Sequence, residues 1–461
     1  MATTTAGPAA EVATTTDIPP LPADAALATA GMLDEGPAAI ATFLGARGWS
    51  LADARPAQDV YRPGRVCTLR YQARARTPAG EPRVLMVCVE TARRAVEPPP
   101  PPAGFAERYG LVNPVDRVGP YLVWVFPYDP SLVGLFEANQ GQEVRSALTA
   151  AGSRPAGVAV QPVRYRPRRR AVLRYTALHP GGREVLYGKT LPADKAGRMR
   201  EVAPAHPAGR RRPSLLRGRR ARLRLTLPFA DGPGGTLLFT RADGTSLRDL
   251  LVNGGALPSP TRLARVFDDL GRALPARLLA PPPARHDVTR LAEHSRRLLH
   301  AVVPDARGDV DRVVDDVLGR AAADDNVFGA APTRLVHGDL YEAQVFVADD
   351  FSLGLIDLDD VGPGDPAVDA ANFTAHLVAL AQSVPRAGDR LLAYRTLARS
   401  AFADRLGVSA DALSWREALC TLLLATGPFR TLAPDWPADV HRRIMLAGRM
   451  AEAANGKVPS S

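Results

Sequence analysis

The sequence has little of several features that identify common classes of protein. Cysteine occurs three times in 461 residues, aromatic residues make up 6%, and lysine is scarce beside arginine. No stretch approaches the eighteen or more uncharged apolar residues that a membrane span needs. Cys67, Cys88 and Cys420 are scattered without metal-ligand spacing, which is typical of a reduced protein. The composition therefore excludes a disulfide scaffold and a transmembrane helix, and it predicts a cytoplasmic location.

The N-terminal sequence and the net charge further limit the possible classes of protein. Residues 1–35 begin with no basic segment followed by an apolar run, which indicates a disordered leader rather than a signal peptide. The formal net charge of +10 would suit a polyanionic partner. The arginines are spread along the chain, however, and the densest run, from Arg210 to Arg222, lies in a stretch with Pro and Gly. With few aromatic residues beside it, that run is interpreted as a solvated loop, and a nucleic-acid role is not favoured.

The pattern of apolar residues divides the chain after the leader. Short β-type runs precede Gly244, and apolar residues at helical spacing follow it, interrupted by a short mixed segment at 333–360. The sequence therefore predicts three further units, which are a β-rich module at 36–150, a second β-rich unit at 151–243 and a helical unit at 244–456.

An internal repeat lies within the β-rich part. The run YRPGRVCTLRY at 61–71 aligns without gaps with YRPRRRAVLRY at 165–175, and seven of the eleven positions are identical. Downstream, VLMVC at 84–88 matches VLYGK at 185–189. Both copies predict a strand, a turn, a second strand and a third strand, so duplication is favoured over chance similarity. The third strand ends on Cys88 in the first copy and on Lys189 in the second.

The strongest chemical signal is the run LVHGDLYEAQVFVADDFSLGLIDLDDVGPGDPAVDAANF at 335–373. Its short apolar runs predict a strand and then a hairpin, so Asp339, Gln344 and Asp357 are expected at loop ends around one cleft. One carboxylate can accept a proton from an attacking hydroxyl group, while an amide oxygen and a second carboxylate can hold Mg²⁺. A lone His337 or a D-x-D pair occurs by chance in many proteins, but the whole ordered string is specific.

This segment resembles the catalytic region of the aminoglycoside phosphotransferase and choline kinase superfamily, relatives of the protein kinases. The family pattern is H-G-D-x-x-x-x-N, followed by a hairpin and I-D-x-[DE]. The resemblance implies that Asp339 is the catalytic base and Asp357 the principal Mg²⁺ ligand. Gln344 stands where the family has a metal-binding Asn, and its side chain is one methylene longer. Asp365 and Asp369 match the continuation G-D-P-x-x-D-x-A and are expected to brace the catalytic loop.

The resemblance also implies an α+β, bilobal protein-kinase-like fold, with a β-rich N-lobe that binds ATP and a helical C-lobe. Lys189 is the candidate for the lysine that holds the phosphates, and Glu201 is placed suitably for its partner. The turn at 166–170 is rich in arginine, not glycine, and its guanidinium groups either meet phosphate or face water. Residues 240–244 resemble the hinge where adenine binds. The first copy is interpreted as an extra, degenerate N-lobe-like module, because it lacks the lysine and has no catalytic segment.

These features predict an ATP- and Mg²⁺-dependent kinase of a small-molecule hydroxyl group. The resemblance suggests amino sugars, sugars, choline-like alcohols or secondary metabolites as acceptors. Two alternatives stay open. The first is a pseudokinase, which the Gln344 substitution and the missing glycine loop would also suit. The second is a kinase of Ser or Thr in a peptide, in which the first copy would be the surface where the peptide docks. The first copy could also restrict the cleft, bind a regulator or form a homodimer, and no membrane partner is expected.

Overall fold

The computed structural model describes residues 18–27, 29–94, 97–202, 223–274, 287–324 and 334–453. Within them the chain forms two five-stranded sheets, two smaller sheets and a helical region, so the fold is α+β and bilobal, as the sequence predicts. The three cysteines are buried free thiols. Among the described helices, none has the length and apolar character needed to cross a bilayer. The arginine-rich run from Arg210 to Arg222 lies outside the described residues.

The first five-stranded sheet is built from residues 50–125. Its strands are β1 (Ser50–Arg62), β2 (Val66–Arg76), β3 (Pro82–Ala92), β4 (Val115–Val118) and β5 (Tyr121–Val125). The spatial order is β1-β2-β3-β5-β4, and neighbouring strands are antiparallel. In β2, Leu69, Tyr71 and Ala73 are buried while the residues after each are more exposed, because successive side chains of a strand point to opposite faces. Helix α1 (Met32–Gly45) packs against this sheet, and α2 (Phe105–Tyr109) follows β3.

The second five-stranded sheet repeats this arrangement. Its strands are β6 (Gly157–Arg166), β7 (Arg170–His179), β8 (Gly182–Thr190), β10 (Ala230–Asp231) and β11 (Leu237–Thr240). The order is β6-β7-β8-β11-β10, again antiparallel, so both sheets follow the same path along the chain. Helices α3 (Leu135–Ala138) and α4 (Gly141–Ala150) precede this sheet, and α5 (Ala193–Val202) follows β8. The strand, turn and two further strands predicted for each copy are therefore present.

A hydrogen-bonded aspartate stands before the strands of the first copy. The carboxylate of Asp24 accepts hydrogen bonds from the Tyr61 hydroxyl group (2.9 Å) and from the backbone N–H of Gly64 (2.7 Å). The segment around it is packed, since Ile18 and Leu27 are buried. Residues 18–27 and 29–35 are thus ordered, whereas the sequence predicts a disordered leader as far as residue 35. Isolated apolar residues between prolines and alanines carry no periodic signal, which explains the difference.

The second copy contains the same hydrogen-bond pattern. Asp129 accepts hydrogen bonds from the Tyr165 hydroxyl group (2.7 Å) and from the backbone N–H of Arg168 (2.8 Å). Gly64 and Arg168 occupy equivalent turn positions, and both have a positive φ, 64° and 58° respectively. Helices α3 and α4 contact strands of the second sheet, while Phe136 of α3 also stacks on Phe105 of α2 with centroids 5.5 Å apart. The boundary at residue 150 therefore stays a prediction.

The remaining described residues are mostly helical. The helices are α6 (Leu247–Asn253), α7 (Pro260–Ala264), α8 (Val266–Ala273), α9 (Val288–Val302), α10 (Arg307–Ala323), α11 (Pro366–Ser383), α12 (Gly388–Leu406), α13 (Ala410–Ala425), α14 (Gly427–Arg430) and α15 (Trp436–Ala453). A small sheet has the order β12-β14-β15-β9 and consists of β9 (Leu223–Leu225), β12 (Thr245–Ser246), β14 (Val345–Val347) and β15 (Leu353–Leu355). A two-stranded sheet pairs β13 (Arg334–Val336) with β16 (Gly362–Gly364).

One apolar core joins both large sheets to helices α9, α10, α13 and α15. It contains the fully buried Trp124 of β5 and Tyr175 of β7. The ring of Tyr61 meets Phe429 of α14 edge to face, with centroids 5.9 Å apart. Each large side chain buried in this way contributes about 1.5–3 kcal/mol. The first sheet is therefore part of one packed unit with the helical region, and it holds the end of β1 against α14.

Candidate active site

Two strand pairs bring the predicted catalytic residues together. In the hairpin of β14 and β15, Val345 lies opposite Leu355, and the Ile356 N–H donates to the Gln344 carbonyl group (3.1 Å). This register places Gln344 just before one strand and Asp357 just after the other, so the two side chains meet. The loop that follows β13 carries Asp339 beside them.

The catalytic loop is held by a buried carboxylate. Asp369 of α11 accepts hydrogen bonds from the backbone N–H groups of His337 (2.6 Å) and Gly338 (3.0 Å). Burial raises the pKa of Asp369 to about 7, although those hydrogen bonds act in the opposite sense. The His337 ring is buried and its Nε2 lies 2.9 Å from the carbonyl oxygen of Ile356. Asp365 caps α11 through the Ala367 N–H (2.8 Å). Both aspartates therefore brace the loop and the helix.

The surroundings of Asp339 change the pKa of its carboxyl group. Burial, followed by the negative charge of Asp357, raises the pKa of Asp339 to about 6. Arg170, Arg430 and Arg166 oppose this rise. A carboxyl group with a pKa just below neutrality is ionised at pH 7 and is still basic enough to accept a proton in a transition state.

Asp357 is the centre of an ionic cluster. Lys189 Nζ pairs with its Oδ1 atom and lies 2.6 Å from Asp359 Oδ2. Arg170 Nη1 lies 3.0 Å from Asp357 Oδ2 and 3.9 Å from Asp359 Oδ2. Burial alone would raise the pKa of Asp357, but Lys189 and Arg170 hold it well below its usual range. The carboxylate is therefore ionised at any pH near neutrality. Its backbone has a φ of 63°, an uncommon conformation for a residue other than glycine that is often found at functional sites.

The acidic end of this cluster fits a hard divalent cation. Gln344 Nε2 donates to Asp357 Oδ2 (3.0 Å), and rotation of the amide by half a turn would present its oxygen at the same place. Asp359 Oδ1 is buried, and no described residue hydrogen-bonds to it. Among the described residues no group of three or more His, Cys, Asp or Glu forms a metal cluster. Two carboxylates and one amide suit Mg²⁺, which keeps several waters and uses few protein ligands.

Glu201 does not reach the lysine for which it was predicted as a partner. Its side chain is exposed on α5, whose buried residues include Met199 and Val202. Within the described part of the chain, the ammonium group of Lys189 pairs with Asp357 and Asp359. The reason is the rotation of the helix, because its apolar stripe turns residue 201 towards solvent.

A cleft of about 590 Å³ lies between the second sheet and the hairpin of β14 and β15. Lys189 and Asp357 line one end of it. Residues 239–242, which include part of the predicted hinge, line it as well. Apolar side chains cover much of its wall, among them Val172, Val185 and Phe346. A mostly apolar cleft with a few charged groups is the usual form of a small-molecule site.

The turn between β6 and β7, which faces this cleft, is anchored to the first copy. The Arg168 guanidinium group donates to Glu90 Oε2 through Nε (2.6 Å) and to Oε1 through Nη2 (2.6 Å). Nη1 of the same group donates to Ser131 (3.2 Å), and the group lies over the ring of Trp124 at 5.5 Å. A bidentate pair with a buried carboxylate is among the stronger polar contacts in proteins. The first copy therefore fixes the conformation of this turn.

Sequence reasoning missed four of the residues in this arrangement. Arg170 belongs to a run of consecutive arginines, and nothing in the sequence distinguishes it from its neighbours. Asp359 is the second acid of the I-D-x-D pattern, so the pattern could have identified it. Glu90 and Arg168 are 78 positions apart, and no local signal connects them.

Known proteins resemble this chain over part of its length. Residues 182–404 match the model of the phosphotransferase enzyme family. Aminoglycoside phosphotransferase APH(3'')-Id from Streptomyces rimosus is similar, with 20% identity, 61% of this chain and 95% of that chain covered, and a TM-score of 0.36. Choline kinase from Cryptosporidium parvum gives 10% identity, 65% and 90% coverage and a TM-score of 0.41. A thermostable mutant of APH(4)-Ia gives 14% identity, 68% and 100% coverage and a TM-score of 0.44. No curated protein matches the sequence.

Proposed function

We propose that this chain transfers the γ-phosphate of ATP, with Mg²⁺, to a hydroxyl group of a small molecule, and the match of residues 182–404 to the phosphotransferase enzyme family supports the proposal. The observation that carries the proposal is the ion pair of Lys189 with Asp357. Gln344 donates a hydrogen bond to the same carboxylate, and the charge of Asp357 acts on Asp339. A cation for phosphate, acidic oxygens for a metal and a separate base are the three parts that phosphoryl transfer needs.

The proposed reaction assigns one task to each side chain. Asp339 orients the acceptor hydroxyl group and receives its proton as the hydroxyl oxygen bonds to the γ-phosphorus. The bond from that phosphorus to the β,γ-bridging oxygen breaks, and ADP leaves. Lys189 stabilises the negative charge on the phosphates. The wall of the cleft near residues 239–242 accommodates the adenine ring.

Asp357, Asp359 and Gln344 would hold Mg²⁺. When bound there, the ion supplies positive charge to the β- and γ-phosphates. The buried Asp359 Oδ1 atom, which accepts no hydrogen bond from a described residue, supports this assignment. The longer side chain of Gln344 offers the same amide oxygen as the Asn of the family, so coordination is chemically preserved.

A pseudokinase is the second candidate, and one observation favours it. Lys189 and Arg170 both pair with Asp357, so a metal would have to displace at least one cation from the carboxylate. A protein that binds a nucleotide through these cations without metal-dependent transfer would keep the same geometry.

The test measures Mg²⁺-dependent ATP binding and slow ATP hydrolysis in the wild type, Asp339→Asn and Asp357→Asn. Asp349→Asn, in the exposed turn of the same hairpin, is the matched control because it also removes one negative charge. We expect hydrolysis to fall by about 100-fold or more in both site variants, with Mg²⁺-dependent binding lost only in Asp357→Asn. Equal nucleotide behaviour in all four proteins would contradict the proposed transfer reaction.

A further inference from the structure

Arg170 stands on the wall of the cleft beside the residues assigned to phosphate and metal. It is the first residue of β7, and two positions further along this strand Val172 lies opposite Lys189 of β8. Opposite residues of an antiparallel pair share one face, and so do alternate residues of one strand, so Arg170 and Lys189 project from the same face of the sheet. Both residues line the cleft, together with Asp357 and Asp359.

Arg170 is the less firmly held of the two cations on Asp357. Lys189 Nζ pairs with Asp357 and lies 2.6 Å from Asp359 Oδ2. The Arg170 Nη1 atom lies 3.0 Å from Asp357 Oδ2 but 3.9 Å from Asp359 Oδ2. The side chain of Arg170 is 19% exposed and that of Lys189 is 9% exposed. Displacing Arg170 from the carboxylate would therefore lose less electrostatic stabilisation than displacing Lys189.

The guanidinium group of Arg170 uses only part of its hydrogen-bonding capacity in this contact. A single nitrogen, Nη1, reaches both oxygens of Asp357, at 3.2 Å and 3.0 Å. The Nε atom is buried, and no described residue accepts a hydrogen bond from it. Arg168, by comparison, binds Glu90 through two of its nitrogens. A buried donor without an acceptor is costly, so an anion that accepts from Nε as well would stabilise the Arg170 side chain.

The oxygen that Arg170 contacts is also the one needed for a metal. Gln344 Nε2 lies 3.0 Å from Asp357 Oδ2, and the amide oxygen takes that place if the side chain turns over. Arg170 Nη1 lies 3.0 Å from the same Oδ2 atom. A guanidinium group and a divalent cation would repel each other strongly on one half-buried oxygen. Use of Asp357 and Gln344 as metal ligands therefore requires Arg170 to move away.

This arginine occurs in one copy of the repeat. The ungapped alignment of the two copies places Val66 at the position of Arg170. The two positions are also equivalent in the fold, since Val66 begins β2 opposite Arg62 and Arg170 begins β7 opposite Arg166. The strand and its turn thus form with valine at this position. The cation therefore serves the cleft rather than the strand.

We propose that Arg170 is a phosphate-binding residue, which turns from Asp357 to the β- and γ-phosphates of the bound nucleotide and thereby leaves Asp357 to Mg²⁺. Its guanidinium group replaces the glycine-rich loop that covers the phosphates in protein kinases, because a planar fork of N–H donors can bind phosphate through two nitrogens. The charges stay paired, since the cation exchanges a carboxylate oxygen for phosphate oxygens. This inference rests on the proposed function, because it assigns a further ligand to the nucleotide.

The test measures binding of a metal and of two nucleotides to the full-length protein. Mn²⁺, a paramagnetic substitute for Mg²⁺, is titrated without nucleotide and followed by electron paramagnetic resonance. AMP-PNP and AMP are titrated with Mg²⁺ by isothermal titration calorimetry. In Arg170→Gln, Mn²⁺ should bind about tenfold more tightly, because a competing cation is gone. AMP-PNP should bind about tenfold more weakly through loss of a charge-assisted hydrogen bond, whereas AMP has no β- or γ-phosphate and should bind unchanged.

Two further variants complete the test. Arg170→Lys keeps the charge but not the planar fork, so it should bind Mn²⁺ as the wild type does and recover only part of the affinity for AMP-PNP. It also decides the question alone, through AMP-PNP against AMP, if thermal unfolding shows Arg170→Gln to be unfolded. Arg183→Gln is the matched control, since Arg183 is an exposed arginine of the same sheet, at the opposite end of β8 from Lys189.

Three outcomes would overturn the inference. Unchanged binding of Mn²⁺ and AMP-PNP in Arg170→Gln would mean that Arg170 affects neither metal nor phosphate. Tighter Mn²⁺ binding with unchanged AMP-PNP binding would make Arg170 an obstacle to the metal and no ligand of phosphate. Equal weakening of AMP-PNP and AMP would assign its effect to the rest of the nucleotide. Failure of the proposed phosphotransfer is seen separately, as a wild type that binds AMP-PNP but does not hydrolyse ATP.

Discussion

In the first copy the turn after the first strand contains Gly64, and in the second copy the equivalent turn contains Arg168. Both turns close on an aspartate through the same two hydrogen bonds. The Arg168 side chain, however, reaches back to Glu90 of the first copy. Two sheets of one topology have therefore diverged in their side chains, and one now supports the active-site turn of the other.

The third strands show the same divergence at the residue that meets phosphate in the proposed reaction. Cys88 is fully buried, and burial raises the pKa of its thiol well above the usual value, so it is neutral. Lys189 stands at the matching position and extends to Asp357. The two copies therefore differ at this position by one residue, which is a buried packing residue in the first copy and a charged residue in the second. Each prediction below tests one side of this comparison, from the largest expected effect to the smallest.

The largest effect is expected from removing the lysine. Lys189→Met should lower ATP turnover by about 100-fold to 1000-fold, because it removes one positioned cation from the developing charge on phosphate. Cys88→Ala, the change at the matching position of the first copy, should leave turnover within about threefold and reduce stability only. Steady-state hydrolysis and thermal unfolding of both variants measure this, and equal losses of turnover would remove the distinction between the copies.

The two aspartates that close the turns should differ in their effect on stability. Asp129 is 2% exposed, and its removal leaves buried donors without an acceptor, so Asp129→Ala should lower the free energy of unfolding by about 3 kcal/mol. Asp24 is half-buried, and Asp24→Ala should cost about 1 kcal/mol. Urea unfolding compares them. A larger loss for Asp24→Ala would show that the first copy is the more dependent on its turn.

Asp339, a titrating acid of the catalytic segment, has no counterpart beside the first copy. Because the pKa of Asp339 is raised to about 6, the group is a free base above that pH and becomes protonated below it. Turnover should therefore fall about tenfold for each pH unit below about 6. Nucleotide binding should persist, since the pKa of Asp357 is lowered. A pH–rate profile with parallel binding measurements tests this, and a rate independent of pH between 5 and 7 would contradict it.

The smallest effect concerns the contact between the copies. Glu90→Gln removes the charge that holds Arg168 but keeps an oxygen for the hydrogen bond from Thr68. We expect the KM for ATP to rise by about fivefold with kcat little changed, because the turn becomes less ordered in the free enzyme. Glu81→Gln, at an exposed acid paired with Arg83, is the control. A fall in kcat with an unchanged KM would mean that the contact acts on the chemical step.

Much of the site was accessible from the sequence because it is contiguous. Asp339, Gln344 and Asp357 lie within one short segment, and alternating apolar residues specify the strands that bring them together. Lys189 was accessible through the repeat, since only the second copy has a lysine at this position of its third strand. Glu201 could not be placed in the same way. Its spacing from Lys189 suits an ion pair, but spacing does not determine which way the helix is rotated about its axis.

The amino-acid sequence by itself determined the class of fold, the duplication of the strands and the catalytic segment, because periodicity and motif spacing are local properties of a chain. Only the tertiary structure decided that Arg168 binds Glu90, that Arg170 joins Lys189 on Asp357 and that the end of β1 packs against α14. These contacts join residues far apart in the chain, and their energies depend on burial and on neighbouring charge. The packing of distant elements, which no local pattern encodes, therefore makes the first copy part of the active site of the second.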